Sequence, residues 1–133
     1  MVKSEESVGA VVYHDDEFLL LEYGKGKHWG FVKGHIEGNE TKKETILREL
    51  EEETGITDAE IINGFNESIG YYFKRRELVS KKVTYFLIKT GSKKVKISYE
   101  HSSFKWLPYE KALKKLSFEN TKRLLRRARE FLR

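Results

Sequence analysis

The stretch GHIEGNETKKETILRELEEETGI, residues 34–56, decides the fold of this chain. It carries Glu49, Glu52 and Glu53 at positions i, i+3 and i+4, so a helix places all three carboxylates on one face. Like charges this close repel one another, and a bound divalent cation would offset the repulsion. Hard cations such as Mg²⁺ and Mn²⁺ prefer carboxylate oxygen ligands. The stretch therefore predicts a helix that carries a site for Mg²⁺ or Mn²⁺.

Both ends of this helix are marked in the sequence. Thr41 and Glu44 have the spacing of a capping box, and Gly55 stands where a left-handed residue ends many helices. We therefore expect a helix from about Lys42 to Thr54. Its buried stripe, next to the carboxylate face, is expected to consist of Ile46, Leu47 and Leu50.

The spacing of the whole stretch resembles the Nudix box. Five residues separate Gly34 from Glu40, and seven more precede the segment Arg48 to Ile56. An ordinary solvated acidic helix would have no reason to carry Gly34 and Glu40 upstream as well. The resemblance implies an α+β fold, an αβα sandwich with a mixed central β-sheet. It also implies metal-dependent hydrolysis of a phosphoanhydride, with a Mg²⁺ or Mn²⁺ cofactor.

The resemblance implies roles for the residues of the box. Glu52 and Glu53 are expected to ligate the metal, and the carbonyl of Gly34 is a further candidate ligand. Glu49 is expected to act as ligand or as base. The sequence leaves open which carboxylate accepts the proton of the attacking water.

Two further residues are expected to support this chemistry. Arg48, four residues before Glu52, can hold that carboxylate by a charge-assisted hydrogen bond. Some relatives use a carboxylate from a loop far beyond the box, and Glu100 is the candidate here, as base or metal ligand. The alternative for Glu100 is an ordinary solvated charge.

Segments outside the box resemble the asymmetric diadenosine tetraphosphate hydrolases. These are Trp29, the Lys-Gly-His entry at 33–35, the segment EHSSFKWL at 100–107, and a tyrosine matched by Tyr71 or Tyr72. The resemblance implies that the chain cleaves diadenosine tetraphosphate into ATP and AMP.

Such a substrate needs cations along its phosphate chain and flat surfaces for its bases. The candidate phosphate-binding cations are Lys33, Lys82 and Lys105. The candidate adenine-stacking rings are Tyr72, Tyr71 and Phe118. Because strand side chains alternate between faces, only one of the two tyrosines is expected to be exposed, and we favour Tyr72. His101 and His28 are weaker candidates for phosphate contacts.

Composition is consistent with one globular domain over residues 1–133. The chain has no cysteine, which excludes disulfides and thiolate metal sites. It also lacks glutamine and is rich in lysine and glutamate, a residue usage typical of hyperthermophile proteins. No apolar run approaches the ~20 residues of a membrane span, and the first residues lack an apolar leader. We therefore expect a cytoplasmic protein without membrane contact.

Charge is distributed unevenly along the chain, whose formal net charge is +5. Residues 111–133 are strongly basic, which favours polyanionic partners; the alternative is that these charges form an ordinary solvated helix face. RNA 5′-pyrophosphohydrolysis is therefore an alternative activity, as is cleavage of other nucleoside di- or triphosphates or of inositol pyrophosphates. An alternative of another class is a catalytically silent Nudix module that binds nucleotide or RNA. The intact acidic cluster argues against a silent module.

Apolar alternation and turn residues predict the other elements. The segment 74–77 is expected to form a hairpin tip. Strands are expected near 7–14, 18–23, 28–33, 60–65, 67–74, 83–89, 93–98 and 104–107, with helices near 109–116 and 119–132.

Overall fold

The structure is a computed structural model that describes residues 2–98 and 103–133. Its strands are β1 (Lys3–His14), β2 (Glu17–Tyr23), β3 (His28–Gly30), β4 (Val32–His35), β5 (Ala59–Ile61), β6 (Glu67–Lys74), β7 (Leu78–Thr90) and β8 (Ser103–Pro108). Its helices are α1 (Lys42–Thr54), α2 (Tyr109–Lys115) and α3 (Glu119–Leu132). None of the helices in these two ranges is long and apolar enough to cross a membrane.

All eight strands belong to one mixed sheet. Its main path runs β3-β2-β1-β7-β5, while β4 pairs with β1, β6 with β7 and β8 with β2. Only β1 and β7 run parallel among these pairs, and they are in register from Lys3–Val79 to Tyr13–Lys89. The predicted hairpin between β6 and β7 is present, with residues 75–77 at its tip.

Helices cover both faces of the sheet, because successive strand residues point to opposite sides. On one face, Val11 and Leu87 pack against α2 and α3, including Leu124 and Leu125. The opposite face packs against α1; its buried members are Val8, Ala10, Val12, Leu19, Leu21, Val32, Phe86 and Ile88 of the sheet with Ile46, Leu50 and Ile56. The predicted αβα sandwich with a mixed central sheet is confirmed.

The ends of α1 follow the predicted local chemistry. The Glu44 amide donates to Thr41 Oγ1 at 3.1 Å, and the Thr41 amide donates to Glu44 Oε1 at 2.8 Å, which completes the capping box. Gly55 ends the helix with φ of 74°, in the left-handed region that glycine adopts without strain. The helix bounds expected from the sequence, 42 to 54, are those observed.

Other details differ from the sequence-based expectations. Leu47 is 39% exposed, whereas Glu53 is only 5% exposed. Residues 46, 50 and 53 are spaced i, i+4 and i+7, so the carboxylate face overlaps the buried stripe and Leu47 lies outside it. Residues 93–98 form no strand, β5 is shorter than expected, and β7 begins at Leu78.

Candidate functional site

Strand β4 and helix α1 bring the two ends of the decisive stretch together. β4 pairs with β1 in the middle of the sheet, with Val8 opposite Gly34. A Cβ added to Gly34 would come within 2.5 Å of Glu49 Oε1, so a side chain at residue 34 would displace the Glu49 carboxylate. Glycine at position 34 therefore leaves the space that the Glu49 carboxylate occupies.

Arg48 is the centre of a network of acidic side chains. Its Nε donates to Glu40 Oε2 at 2.6 Å, and its Nη1 donates to Glu52 Oε1 at 2.7 Å and to Glu49 Oε1 at 3.0 Å. Glu37 lies 3.1 Å from the same Nη1. The expected contact between Arg48 and Glu52 is thus present.

The network shifts the pKa values of its members. Hydrogen bonding from Arg48, followed by the backbone amide of Glu37, lowers the pKa of Glu40 to about 2. Hydrogen bonds to Glu40, Glu52 and Glu49 raise the pKa of Arg48. Arg48 is therefore a fixed positive charge that holds several carboxylates beside one another.

Glu49 carries the opposite shift. Burial, and then its hydrogen bond with Glu53, raise the pKa of Glu49 to about 7, and Arg48 opposes both effects. Two carboxyl groups in hydrogen-bond contact cannot both ionise easily without a counter-charge. This pair therefore favours a neighbouring cation.

Three carboxylates are spaced for a divalent metal. Glu37, Glu49 and Glu52 each offer an oxygen, and these oxygens lie within 4.8 Å of one another. Mg²⁺ holds its oxygen ligands at ~2.1 Å, so these side chains would move closer together around a shared ion. Glu53 adjoins this group through Glu49. The donor set is all oxygen, which fits Mg²⁺ or Mn²⁺.

A cavity of about 620 Å³ opens beside these carboxylates. Lys33 and Lys81 contribute cations to the wall of the cavity that the acidic cluster also lines. Although Lys33 is partly exposed, burial of its ammonium and then repulsion from Lys81 lower its pKa, while attraction to Glu53 opposes the change. The other lining residues are Ser7, Tyr23, Gly34, His35, Glu37, Glu49, Glu52, Glu53 and Ser98.

A second, aromatic cavity of about 210 Å³ adjoins the first, and the two share Tyr23 and Lys33. The rings of His28 and Phe118 are in contact, with their centroids 5.0 Å apart and their planes tilted by 41°. Phe118 is 50% exposed, which leaves part of its ring open to a planar ligand. We call the two spaces the phosphate cavity and the aromatic pocket.

The structure separates the remaining predicted site residues. Tyr72 is 69% exposed, as expected, whereas Tyr71 is half-buried against the core on the α3 side. Lys82 does not join Lys33: it lines a separate depression with Ser4, Glu5, Glu6 and Ser80. The reason is strand alternation, which turns Lys81 towards the phosphate cavity and Lys82 to the other face. Lys105 is exposed on β8 and lines neither cavity, and Glu100 and His101 lie outside the described residues.

Sequence reasoning did not select Glu37 or Lys81. Glu37 belongs to the loop before α1, where its acidic side chain and its position two residues after the Lys-Gly-His entry were the available signals. Lys81 could be distinguished from Lys82 only by the face of β7 to which each points, and this depends on strand pairing.

Comparison with known proteins agrees with this geometry. Residues 3–128 match the profile of the NUDIX domain, and the chain belongs to the Nudix family. It is a hydrolase that acts on acid anhydrides, in a family whose members depend on divalent metals.

Two similar enzymes and one similar solved structure show which members of the family this chain resembles. The chain is 36% identical over 121 residues to the asymmetrical bis(5′-nucleosyl)-tetraphosphatase of Rattus norvegicus, covering 87% of this chain and 80% of the relative. A solved C. elegans Ap4A hydrolase binary complex has a TM-score of 0.86 and 32% identity, covering 96% of this chain and 97% of that one. An RNA pyrophosphohydrolase of Nitratiruptor is 34% identical over 94 residues, covering 62% of this chain and 59% of the relative.

Proposed function

We propose that this protein hydrolyses diadenosine tetraphosphate asymmetrically, to ATP and AMP, with Mg²⁺ or Mn²⁺ as cofactor. The observation that carries the proposal is the adjacency of three features: a carboxylate cluster, a phosphate cavity with two lysines, and an aromatic pocket. The similarity to asymmetrical tetraphosphatases over most of both chains supports the same substrate.

The carboxylates of the box would hold the metal. Glu49, Glu52 and Glu53 are the proposed side-chain ligands, and Gly34 would offer its carbonyl. Glu37 is a further proposed ligand, because one of its oxygens lies within 4.8 Å of oxygens of Glu49 and Glu52. When bound, Mg²⁺ or Mn²⁺ would offset phosphate charge and lower the pKa of a coordinated water. Arg48 is the proposed positioning residue, because it hydrogen-bonds to the Glu52 and Glu49 carboxylates.

The chain's own residues would complete the reaction. Lys33 and Lys81 would bind phosphate oxygens in the cavity that the acidic cluster also lines. The proton of the attacking water would pass to Glu49, Glu52 or Glu100, of which Glu100 stays a prediction from sequence. These residues would hold the scissile anhydride beside the carboxylate cluster.

The aromatic pocket would receive one adenine. A planar base can stack on the exposed part of Phe118, and such stacking contributes ~1–3 kcal/mol per base. The aromatic pocket lies next to the phosphate cavity, so the base and the phosphates of one nucleotide can bind at the same time. Tyr72, Lys82, Lys105 and His101 stay predicted substrate contacts from sequence.

A hydrolysis panel tests the proposal. Diadenosine tetraphosphate, ATP and a 5′-triphosphorylated RNA would each be incubated with Mg²⁺, with Mn²⁺ or with EDTA, and the products separated by ion-exchange chromatography. We expect equal amounts of ATP and AMP from diadenosine tetraphosphate, and no reaction in EDTA. Two ADP molecules as product would contradict asymmetric cleavage, and inactivity on every substrate would favour a silent binding module.

The cytoplasmic location stays a prediction.

A further inference from the structure

The basic side chains of helix α3 have no role in the function proposed so far. Five of its residues carry positive charge: Lys122, Arg123, Arg126, Arg127 and Arg129. Some are already engaged, since Arg126 pairs with Glu119 and Arg129 lies 4.3 Å from the Tyr109 ring centroid. The remaining three basic residues of α3 are Lys122, Arg123 and Arg127.

A groove of about 190 Å³ lies between α3 and β6. Asn120, Arg123 and Arg127 line it at i, i+3 and i+7 of the helix, so they form one row about 10 Å long. Arg127 pairs with Glu67 of β6, whereas Arg123 is exposed and makes no ion pair or hydrogen bond with the residues at 2–98 and 103–133. Ser68 adds a hydroxyl to the wall. The groove thus offers a cation, an amide and a hydroxyl.

This groove borders the aromatic pocket on two sides. Phe118 and Thr121 line the pocket, and Asn120, between them in the chain, lines the groove. On the sheet, Tyr85 lines the pocket and its register partner on β6, Glu67, lines the groove. The phosphate cavity, the aromatic pocket and the groove therefore follow one another across the surface.

We propose that the groove binds the phosphodiester backbone of an RNA strand whose 5′-terminal phosphates occupy the phosphate cavity. The proposal rests on the proposed function for the position of those terminal phosphates. With the first base in the aromatic pocket, the phosphate that follows it would lie at the row of Asn120, Arg123 and Arg127. Arginine and amide side chains are typical partners of nucleic-acid phosphates. A mononucleoside triphosphate lacks that phosphate and would leave the groove free.

Binding measurements on a six-nucleotide RNA test the groove directly. Fluorescence anisotropy with a 5′-hydroxyl RNA avoids hydrolysis and removes the contacts of the terminal phosphates. We expect Arg123→Glu to raise the Kd about tenfold and to lower the slope of log K against log salt by about 0.7 for each lost phosphate contact. Arg123→Lys, which keeps the charge, should retain most of the affinity. The matched control is Lys94→Glu, at an exposed lysine next to the Gly91-Ser92 turn.

Kinetics separate this inference from the proposed function. Arg123→Glu should raise the KM of a 5′-triphosphorylated RNA about tenfold and leave the kinetics of diadenosine tetraphosphate unchanged. The wild-type protein could fail to hydrolyse diadenosine tetraphosphate and still bind RNA in a way that depends on Arg123. That result would overturn the proposed function but not the inference that the groove binds RNA.

Four results would overturn the inference. They are failure of the wild-type protein to bind RNA, equal losses in Arg123→Glu and Lys94→Glu, an equal rise in KM for the dinucleotide, and equally tight binding of a polyglutamate of the same charge. The last result would assign the surface to acidic proteins.

Discussion

The carboxyl group of Glu49 lies against Gly34, in the space that a Cβ atom on residue 34 would need. This contact joins the strand before the box to the helix within it. We predict that Gly34→Ala lowers kcat about 10²-fold, because misplacement of a catalytic group by about an ångström has effects of that size. Steady-state kinetics with diadenosine tetraphosphate would measure the change, and circular dichroism would check the fold.

A double-mutant cycle shows whether the loss passes through Glu49. If alanine at residue 34 acts only by displacing that carboxylate, Glu49→Ala and the double variant should have the same residual rate. Losses that multiply in the double variant would mean that Gly34 acts independently of Glu49.

Acid should remove the stabilisation that Glu40 provides through Arg48. The folded pKa of Glu40 is about 2, lowered from an ordinary value of 4.5, mainly by its hydrogen bond from Arg48. A depressed folded pKa means that the unfolded chain binds the proton more readily, so the stabilisation is complete above pH 4.5 and is lost towards pH 2. We expect wild type to be more stable than Glu40→Gln at neutral pH, with a difference that shrinks across this window.

Urea denaturation at a series of pH values would measure that difference. Glu44→Gln is a suitable comparison, because Glu44 belongs to the capping box and lies outside the Arg48 network. A stability difference between wild type and Glu40→Gln that is constant from pH 7 to pH 2 would contradict the assignment.

Local chemistry explains why helix α1 was predicted correctly, whereas residues 93–98 were wrongly predicted to form a strand. The capping box and Gly55 depend on residues a few positions apart, so the sequence alone defines α1. Residues 93–98 alternate like a strand, yet the Lys96 amide donates to the Thr54 carbonyl and the Ser98 amide to the Glu53 carbonyl. The segment thus pairs with the last turn of a helix. A sequence pattern does not show which partner an extended segment will take.

The same distinction applies to the site. The acids Glu49, Glu52 and Glu53 could be grouped in advance because helical geometry fixes their spacing. Glu37 and Lys81 reach the site from a loop and from another strand, so only tertiary structure brings them there. Helical spacing therefore predicts the carboxylates of α1, whereas Glu37 and Lys81 could be placed beside them only from the tertiary structure.

Removal of one box carboxylate should abolish activity without unfolding the protein. We expect Glu52→Gln to lower kcat by orders of magnitude and to weaken Mn²⁺ binding, because the amide loses the charge that a hard cation prefers. The matched control is Glu51→Gln, since Glu51 is exposed and is not part of the carboxylate cluster. Isothermal titration with Mn²⁺, together with kinetics, would compare the two variants. An unchanged rate in Glu52→Gln would refute its proposed role as a ligand.

The aromatic pocket should discriminate between substrates with and without a base. We expect Phe118→Ala to raise the KM of diadenosine tetraphosphate about tenfold, as the loss of one stacked base implies, and to leave tripolyphosphate nearly unaffected. Tyr72→Ala is the comparison, because Tyr72 is exposed but lines neither cavity. A larger effect of Tyr72→Ala than of Phe118→Ala would place the adenine outside the aromatic pocket.

Two adjacent lysines allow a test of which of two depressions binds phosphate. Lys81 lines the phosphate cavity, whereas Lys82 lines a depression beside Glu5 and Glu6. A charged hydrogen bond contributes about 1.5–3 kcal/mol, so Lys81→Gln should raise the KM at least about tenfold. The rise should be similar for diadenosine tetraphosphate and tripolyphosphate, because both offer phosphate oxygens to the same ammonium. Lys82→Gln removes the same charge one residue away and should change the KM less. If Lys82→Gln had the larger effect, the phosphate chain would lie in the depression beside Glu5 and Glu6 and not in the phosphate cavity.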